Sequence, residues 1–210
     1  MDFYFGRFSG NSARAAFALA EAGAAYTPHP IATPGGDENS AWYRALNPMG
    51  KVPTLVDGEL RLWESNAINW YVAEKHPQAK LVPTSIAGQA SVQRWLLFQT
   101  AHVSPAAQAV YRMTNERVQT VWNVAPAARA AEGGRKELDR YLTVLEWALA
   151  ERPWLEGDFS IADIAYAPHC WLLAEGGFDF SATPRVRDWL ERLWARPGWQ
   201  AASAMALTVG

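Results

Sequence analysis

The chain has 210 residues, half of them hydrophobic, which is enough for one large domain or two small ones. Its 19 lysines and arginines against 21 aspartates and glutamates give a net charge of −2, so a polyanion such as nucleic acid is not an expected partner. A single cysteine, Cys170, excludes an intramolecular disulfide, a Cys-x-x-Cys redox pair and a cysteine-rich zinc site.

The four histidines, His29, His76, His102 and His169, have no ligand spacing, so no metal is expected. The start, Met1-Asp2-Phe3-Tyr4-Phe5, lacks the pattern of a signal peptide. No apolar run approaches the ~20 residues of a membrane span. The expectation is a cytoplasmic globular protein with no membrane partner. Its eleven tryptophans read mainly as core and interface residues, for example Trp189 and Trp194 at helical spacing.

Phe3-Tyr4-Phe5 reads as a buried strand. A loop from Gly6 to Gly10 leads to Asn11 or Ser12 as N-cap of an alanine-rich helix, Ala13 to Ala22, which stops at Gly23. Tyr26 to Ile31 is a second strand. Its Pro28 and Pro30 restrict it to the edge of a sheet. After a Gly/Asp/Asn-rich loop and a short helix around Trp42 to Leu46 come Val52–Val56 and Glu59–Trp63, joined by Asp57-Gly58 as an antiparallel hairpin. Ser65 reads as the cap of a helix ending at His76-Pro77. The order β-α-β-α-β-β-α is the thioredoxin-like pattern.

The division expected is an α/β thioredoxin-like domain over residues 1–78, a linker over 79–87 containing Pro83, and an all-α helical domain over 88–210. Residues 88–101, 137–151 and 184–195 show helical periodicity, and 125–134 reads as a loose turn. Ser160-Ile161-Ala162-Asp163 starts a helix with a capping box, and Arg196-Pro197-Gly198 reads as a stop.

Three stretches fall beside helix N-termini, where unpaired N–H groups and partial positive charge favour anions. The first is Ser9-Gly10-Asn11-Ser12, whose hydroxyls or amide could donate to a thiolate. The second is Lys51-Val52-Pro53, where a cis Val52–Pro53 bond would turn the Val52 amide and carbonyl toward an extended peptide. The third is Glu64-Ser65, with a carboxylate for an ammonium group and a hydroxyl for a carboxylate. The γ-glutamyl end of glutathione has both groups. Each stretch taken alone also has a purely structural reading as cap or edge punctuation.

Taken together, Asn47-Pro48-Met49-Gly50-Lys51-Val52-Pro53-Thr54-Leu55, Leu62-Trp63-Glu64-Ser65-Asn66-Ala67-Ile68 and Phe159-Ser160-Ile161-Ala162-Asp163-Ile164-Ala165 resemble the cytosolic glutathione S-transferase superfamily over nearly the whole chain. The resemblance implies Ser9 as the thiol-activating residue, as in serine-type theta, delta and related bacterial classes, with Asn11 and Ser12 as alternates. It implies that Val52 contacts the cysteinyl part of glutathione through its backbone, that Pro53 is cis, that Glu64 and Ser65 hold the γ-glutamyl group and that Lys51 lies near the glycyl carboxylate. The resemblance also implies that Ser160 and Asp163 serve folding rather than catalysis.

An electrophile site facing Ser9 would draw on His102, Tyr111, Arg112 and Trp171, each of which also reads as structural. The implied activity is conjugation of glutathione, as co-substrate, to a small hydrophobic electrophile in detoxification, by a homodimer. The alternatives are glutathione-dependent peroxide or disulfide reduction, and a non-catalytic glutathione-binding scaffold.

Overall fold

The computed structural model describes residues 1–208. The chain divides into two compact units, Met1–Leu81 together with the chain from Pro197 onward, and Val82–Arg196.

The first unit contains β1 (Asp2–Gly6), α1 (Gly10–Glu21), β2 (Thr27–Ile31), α2 (Ala41–Leu46), β3 (Thr54–Asp57), β4 (Leu60–Trp63) and α3 (Ser65–Lys75). Its four-stranded mixed sheet has the order β2-β1-β3-β4, with β1 and β2 parallel and the other pairs antiparallel. Phe3 and Leu55 are fully buried, as are Phe17 and Leu19 of α1 and Ile68 and Val72 of α3. β2 is an edge strand, as its two prolines require, with Pro28 opposite Phe3 and Pro30 opposite Phe5.

The hairpin pairs Asp57 with Leu60, so its central residues are Gly58 and Glu59 rather than Asp57 and Gly58. Gly58 has φ of 59°, and the turn places this left-handed requirement on the residue without a Cβ.

Two helix starts differ from the sequence reading. Ser9, not Asn11 or Ser12, is the N-cap of α1, because its Oγ accepts from the Ser12 N–H at 3.2 Å. Ser12 is buried and its Oγ accepts from Gly6 N–H at 3.1 Å, which closes the preceding turn. Ser65 is the first residue of α3 rather than its cap. Glu64 occupies the N-cap position with φ of 71° and makes no capping hydrogen bond.

The second unit holds α4 (Ile86–Phe98), a π-helical turn over Gln99–Val103, α5 (Ser104–Thr114), α6 (Glu116–Trp122), α7 (Ala128–Ala148), α8 (Ile161–Ile164), α9 (Ala167–Glu175) and α10 (Pro184–Trp194). Leu138, Leu142 and Leu145 of α7 are buried at helical spacing. The segment 125–134, expected as a loose turn, contributes Ala128 onward to α7. Its Gly134 lies where a Cβ would come within 2.8 Å of Ala109 Cβ and 2.9 Å of the Ala106 carbonyl oxygen. The glycine marks a close helix crossing, not a break.

The capping box at Ser160 is formed, with Ser160 N–H donating to Asp163 Oδ2 at 3.0 Å. Asp163 Oδ1 also accepts from Leu155 N–H at 2.9 Å and from the Trp189 indole at 3.0 Å. Burial pushes the Asp163 carboxyl up to about 6, against the opposing pull of these donors.

Arg196-Pro197-Gly198 ends α10 and also begins α11 (Pro197–Ala206), which belongs to the first unit. Proline at the first helical position explains the restart. Trp199 is buried with its ring 5.7 Å from that of Phe17, edge to face. The helical region of the sequence thus supplies one helix to the sheet-containing unit.

Candidate functional site

The N-termini of α1 and α3 and the loop before β3 come together in the first unit. A cavity of about 120 Å³ is lined by Asn11, Lys51, Val52, Pro53, Glu64 and Ser65, with Asn47, Met49 and Trp63 completing the wall. It gathers residues from all three stretches singled out in the sequence.

Local contacts explain the shape of the β3-side loop. The Lys51 carbonyl accepts from Tyr43 Oη at 2.8 Å and from Asn47 Nδ2 at 2.7 Å. Asn47 Oδ1 takes the Met49 N–H at 3.0 Å, so one side chain holds the turn at two points. The Val52–Pro53 peptide is cis. Gly6, at the end of β1, approaches Val52 so closely that a Cβ would fall 2.7 Å from Val52 Cγ2. Lys51 itself is exposed at the surface of the site.

On the opposite wall, Ser65 is buried and Glu64 is exposed. The left-handed backbone of Glu64 is uncommon for a residue with a Cβ, and such conformations concentrate at ligand sites. Because no side chain caps α3, its first-turn N–H groups are oriented to meet an anion at this end.

Arg14 was not singled out by the sequence reading, and it joins the walls. It is 4% exposed, and its Nη1 donates to Asn11 Oδ1 at 2.9 Å and to Ser65 Oγ at 2.8 Å. With Oδ1 occupied in this way, the Asn11 Nδ2 is the amide group left to serve as a donor. The signal was present in the sequence: Arg14 is the lone charge in the alanine-rich run from Ala13 to Ala20.

Ser9 is 6% exposed, and its hydroxyl oxygen caps α1. Ser12 is fully buried and engaged with Gly6. Of the three polar candidates in this loop, Asn11 is exposed and lines the cavity.

The four residues proposed for an electrophile lie in the second unit and have dissimilar surroundings. His102 is exposed, its ring 5.4 Å from both Phe98 and Tyr141. Tyr111 is buried, with its hydroxyl 3.1 Å from His169 Nδ1, while Ser104 Oγ lies 3.1 Å from His169 Nε2. This hydroxyl–imidazole–hydroxyl chain ties α5 to α9. Arg112 is exposed and donates to Gln108 Oε1 at 3.3 Å. Trp171 is half-buried on α9.

Among the described residues, no group of three or more His, Cys, Asp or Glu is placed to hold a metal ion. No described helix is long and apolar enough to cross a membrane.

Comparison with known proteins agrees with this geometry. Residues 1–74 match the glutathione S-transferase N-terminal domain family, and residues 126–192 match the C-terminal domain family. Glutathione S-transferase 3 of Zea mays is 32% identical, over 93% of this chain and 90% of the maize protein. Glutathione S-transferase GstB of Escherichia coli is 32% identical, over 77% of each chain. A theta class glutathione S-transferase from Xanthomonas axonopodis pv. citri, solved with glutathione bound, superposes with a TM-score of 0.87 at 30% identity, covering 99% of this chain and 98% of that one. With its mixed-sheet first unit, its helical second unit and these relatives over most of its length, the chain is an enzyme of the cytosolic glutathione S-transferase superfamily.

Proposed function

We propose that the enzyme conjugates glutathione to a small hydrophobic electrophile, binding the tripeptide in the cavity between the starts of α1 and α3 and the Val52–Pro53 loop. The observation that carries this reading is the convergence of Asn11, Lys51, Val52, Glu64 and Ser65 on one cavity. The γ-glutamyl carboxylate would sit at Ser65 and the N-terminus of α3, its ammonium group at Glu64, the cysteinyl backbone at Val52 and the glycyl carboxylate near Lys51.

The sulfur then lies at the start of α1. There the helix N-terminus, the Asn11 amide N–H and the Ser9 hydroxyl hydrogen stabilise the thiolate. The S–H proton leaves to solvent. The thiolate forms an S–C bond to the electrophile, which either loses its leaving group with the bonding electrons or is protonated after addition. Ser9 acts here as a donor to an anion, not as a base. In the helical unit, His102, Tyr111, Arg112 and Trp171 are proposed for the electrophile, with the Tyr111 hydroxyl also bonded to His169. The enzyme is further proposed to act as a two-fold dimer in the cytoplasm in detoxification.

The test is turnover of a chloronitrobenzene with glutathione, compared with a hydroperoxide and a mixed disulfide. Conjugation is expected to dominate. Faster turnover of either of the other two substrates would reassign the reaction to glutathione-dependent reduction, and tight binding without any turnover would make the protein a scaffold. Glu64→Ala is expected to weaken glutathione binding by about tenfold, in line with the loss of one charge-assisted contact. Unchanged affinity would remove the γ-glutamyl assignment.

A further inference from the structure

Ser9 has an unusual set of partners. Its N–H donates to the Ala206 carbonyl at 3.0 Å, its carbonyl accepts from Ala13 N–H at 2.9 Å, and its Oγ accepts from Ser12 N–H at 3.2 Å. One residue therefore caps the start of α1 and takes up a carbonyl at the end of α11. Carbonyls in the last turn of a helix have no partner within the helix and ordinarily turn to solvent. Here one is spent on a loop 197 positions earlier in the chain, and it comes from a residue that is fully buried.

The register of α11 against α1 is held at both ends. At the start of α11, a Cβ on Gly198 would fall 2.5 Å from Glu21 Oε1, at the far end of α1. In the first turn of α11, next to Gly198, Trp199 packs edge to face on Phe17. At its close, Met205 Sδ lies 3.8 Å from the Tyr26 hydroxyl and Leu207 is 2% exposed. The two helices thus run antiparallel, with the start of α11 beside Glu21 and its end delivering Ala206 to Ser9. The residue before Ser9 adds a second hold. Phe8 has φ of 54° and is 2% exposed, a left-handed backbone uncommon for a bulky residue and maintained by its buried ring.

We propose that α11 is a positioning element for the thiol-activating loop: the Ala206 carbonyl, acting through the Ser9 N–H, fixes the height of Ser9 and Asn11 at the start of α1 and so sets the ionisation of bound glutathione. The proposal rests on the glutathione reading above. The main packing partner of α11 is α1. Its effect should therefore fall on the sulfur and not on the tripeptide anchor.

The experiment compares the full chain with a chain ending at Ala204, and with Leu207→Ala in the full chain as a milder variant that keeps the fold. Each is measured for thermal unfolding, KM for glutathione, kcat and the pKa of the bound thiol from ultraviolet thiolate absorbance. The expected result for the shortened chain is a bound-thiol pKa raised by about one unit and kcat near neutral pH lowered by about tenfold, one unit being a tenfold change in thiolate population below the pKa. KM for glutathione should change by less than about threefold, and Leu207→Ala should shift pKa and kcat in the same direction by less.

A variant that melts at a lower temperature yet keeps the full chain's thiol pKa and kcat overturns the proposal and leaves α11 a packing element. If the shortened chain does not fold, Leu207→Ala decides by the same criterion. If glutathione bound to the full chain has its free-solution pKa, the glutathione reading and this proposal both fail. If Asn11→Ala raises the pKa while the α11 variants do not, this proposal alone fails.

Discussion

At the scale of single residues, Arg14 decides how the site presents itself. One guanidinium nitrogen serves both Asn11 and Ser65, so the amide proposed for the sulfur and the hydroxyl proposed for the γ-glutamyl carboxylate share a buried support. Asn11→Ala is expected to lower kcat/KM by about tenfold to a hundredfold, the range for losing one hydrogen bond to a charged group, with the bound-thiol pKa raised. Ser9→Ala should lower both kcat/KM and the unfolding free energy. Its loss of the α1 cap costs about 1 kcal/mol in addition to any lost bond to sulfur.

Asp163 gives a prediction outside the site. Its folded pKa of about 6 lies above the ordinary carboxylate value, so the native state binds more protons than the unfolded state between about pH 4 and 6. Its contribution to stability is therefore fully present below the unfolded pKa and declines as pH rises through that window. Chemical denaturation across the window should show the stability of wild type relative to Asp163→Asn falling by roughly 2–3 kcal/mol, from the shift of about two units. A difference that grows with pH would mean that the donors from Leu155, Ser160 and Trp189 outweigh burial.

At the scale of elements, the strands and most helix cores were legible because proline, glycine and helical periodicity act locally. The edge position of β2 follows from Pro28 and Pro30, and the hairpin from a glycine two residues after Val56. Helix ends were less legible, since a cap is chosen by three-dimensional competition. Ser9, Asn11 and Ser12 are all acceptable caps by composition, and the buried turn at Gly6 commits Ser12 and leaves Ser9 to close α1. The glycine pair at 133–134 misled for a similar reason. Low helix propensity at Gly134 is outweighed by the approach of α5, a non-local contact with no mark in the sequence.

This gives a paired prediction. Gly133 has open space where a Cβ would stand, so Gly133→Ala should raise the unfolding free energy by up to about 1 kcal/mol through helix propensity. Gly134→Ala makes the same propensity gain but forces α5 and α7 apart, and should destabilise by about 1–3 kcal/mol in denaturant titration.

At the scale of the whole molecule, the chain's order and its compact units do not coincide. The sheet-containing unit is completed by residues from beyond Arg196, which a reading along the chain assigns to the helical region. That assignment could not be read locally, because the amphipathic pattern of α11 is the same whichever surface buries it. A fragment ending at Leu81 is expected to lack a cooperative thermal transition, since Phe17 would lose the cover of Trp199. Joining residues 197–208 to it through a flexible linker should restore one. A sharp transition in the fragment alone would show that α11 is dispensable to this unit.

The cavity wall proposed for glutathione was legible because its parts lie in two short motifs less than twenty residues apart. The contacts of Arg14 and Ala206 were not, since they are set only by the folded chain.

Cys170, the chain's one cysteine, is fully buried on α9. A thiol-specific chromogenic reagent added to the folded enzyme therefore has no readily accessible target on the protein. It will count the sulfur of glutathione alone, so protection from the reagent measures ligand occupancy directly. When the second unit opens, the same reagent should gain one equivalent of colour per chain. One dye thus reports ligand capture and unfolding in a single cuvette, with no engineered label.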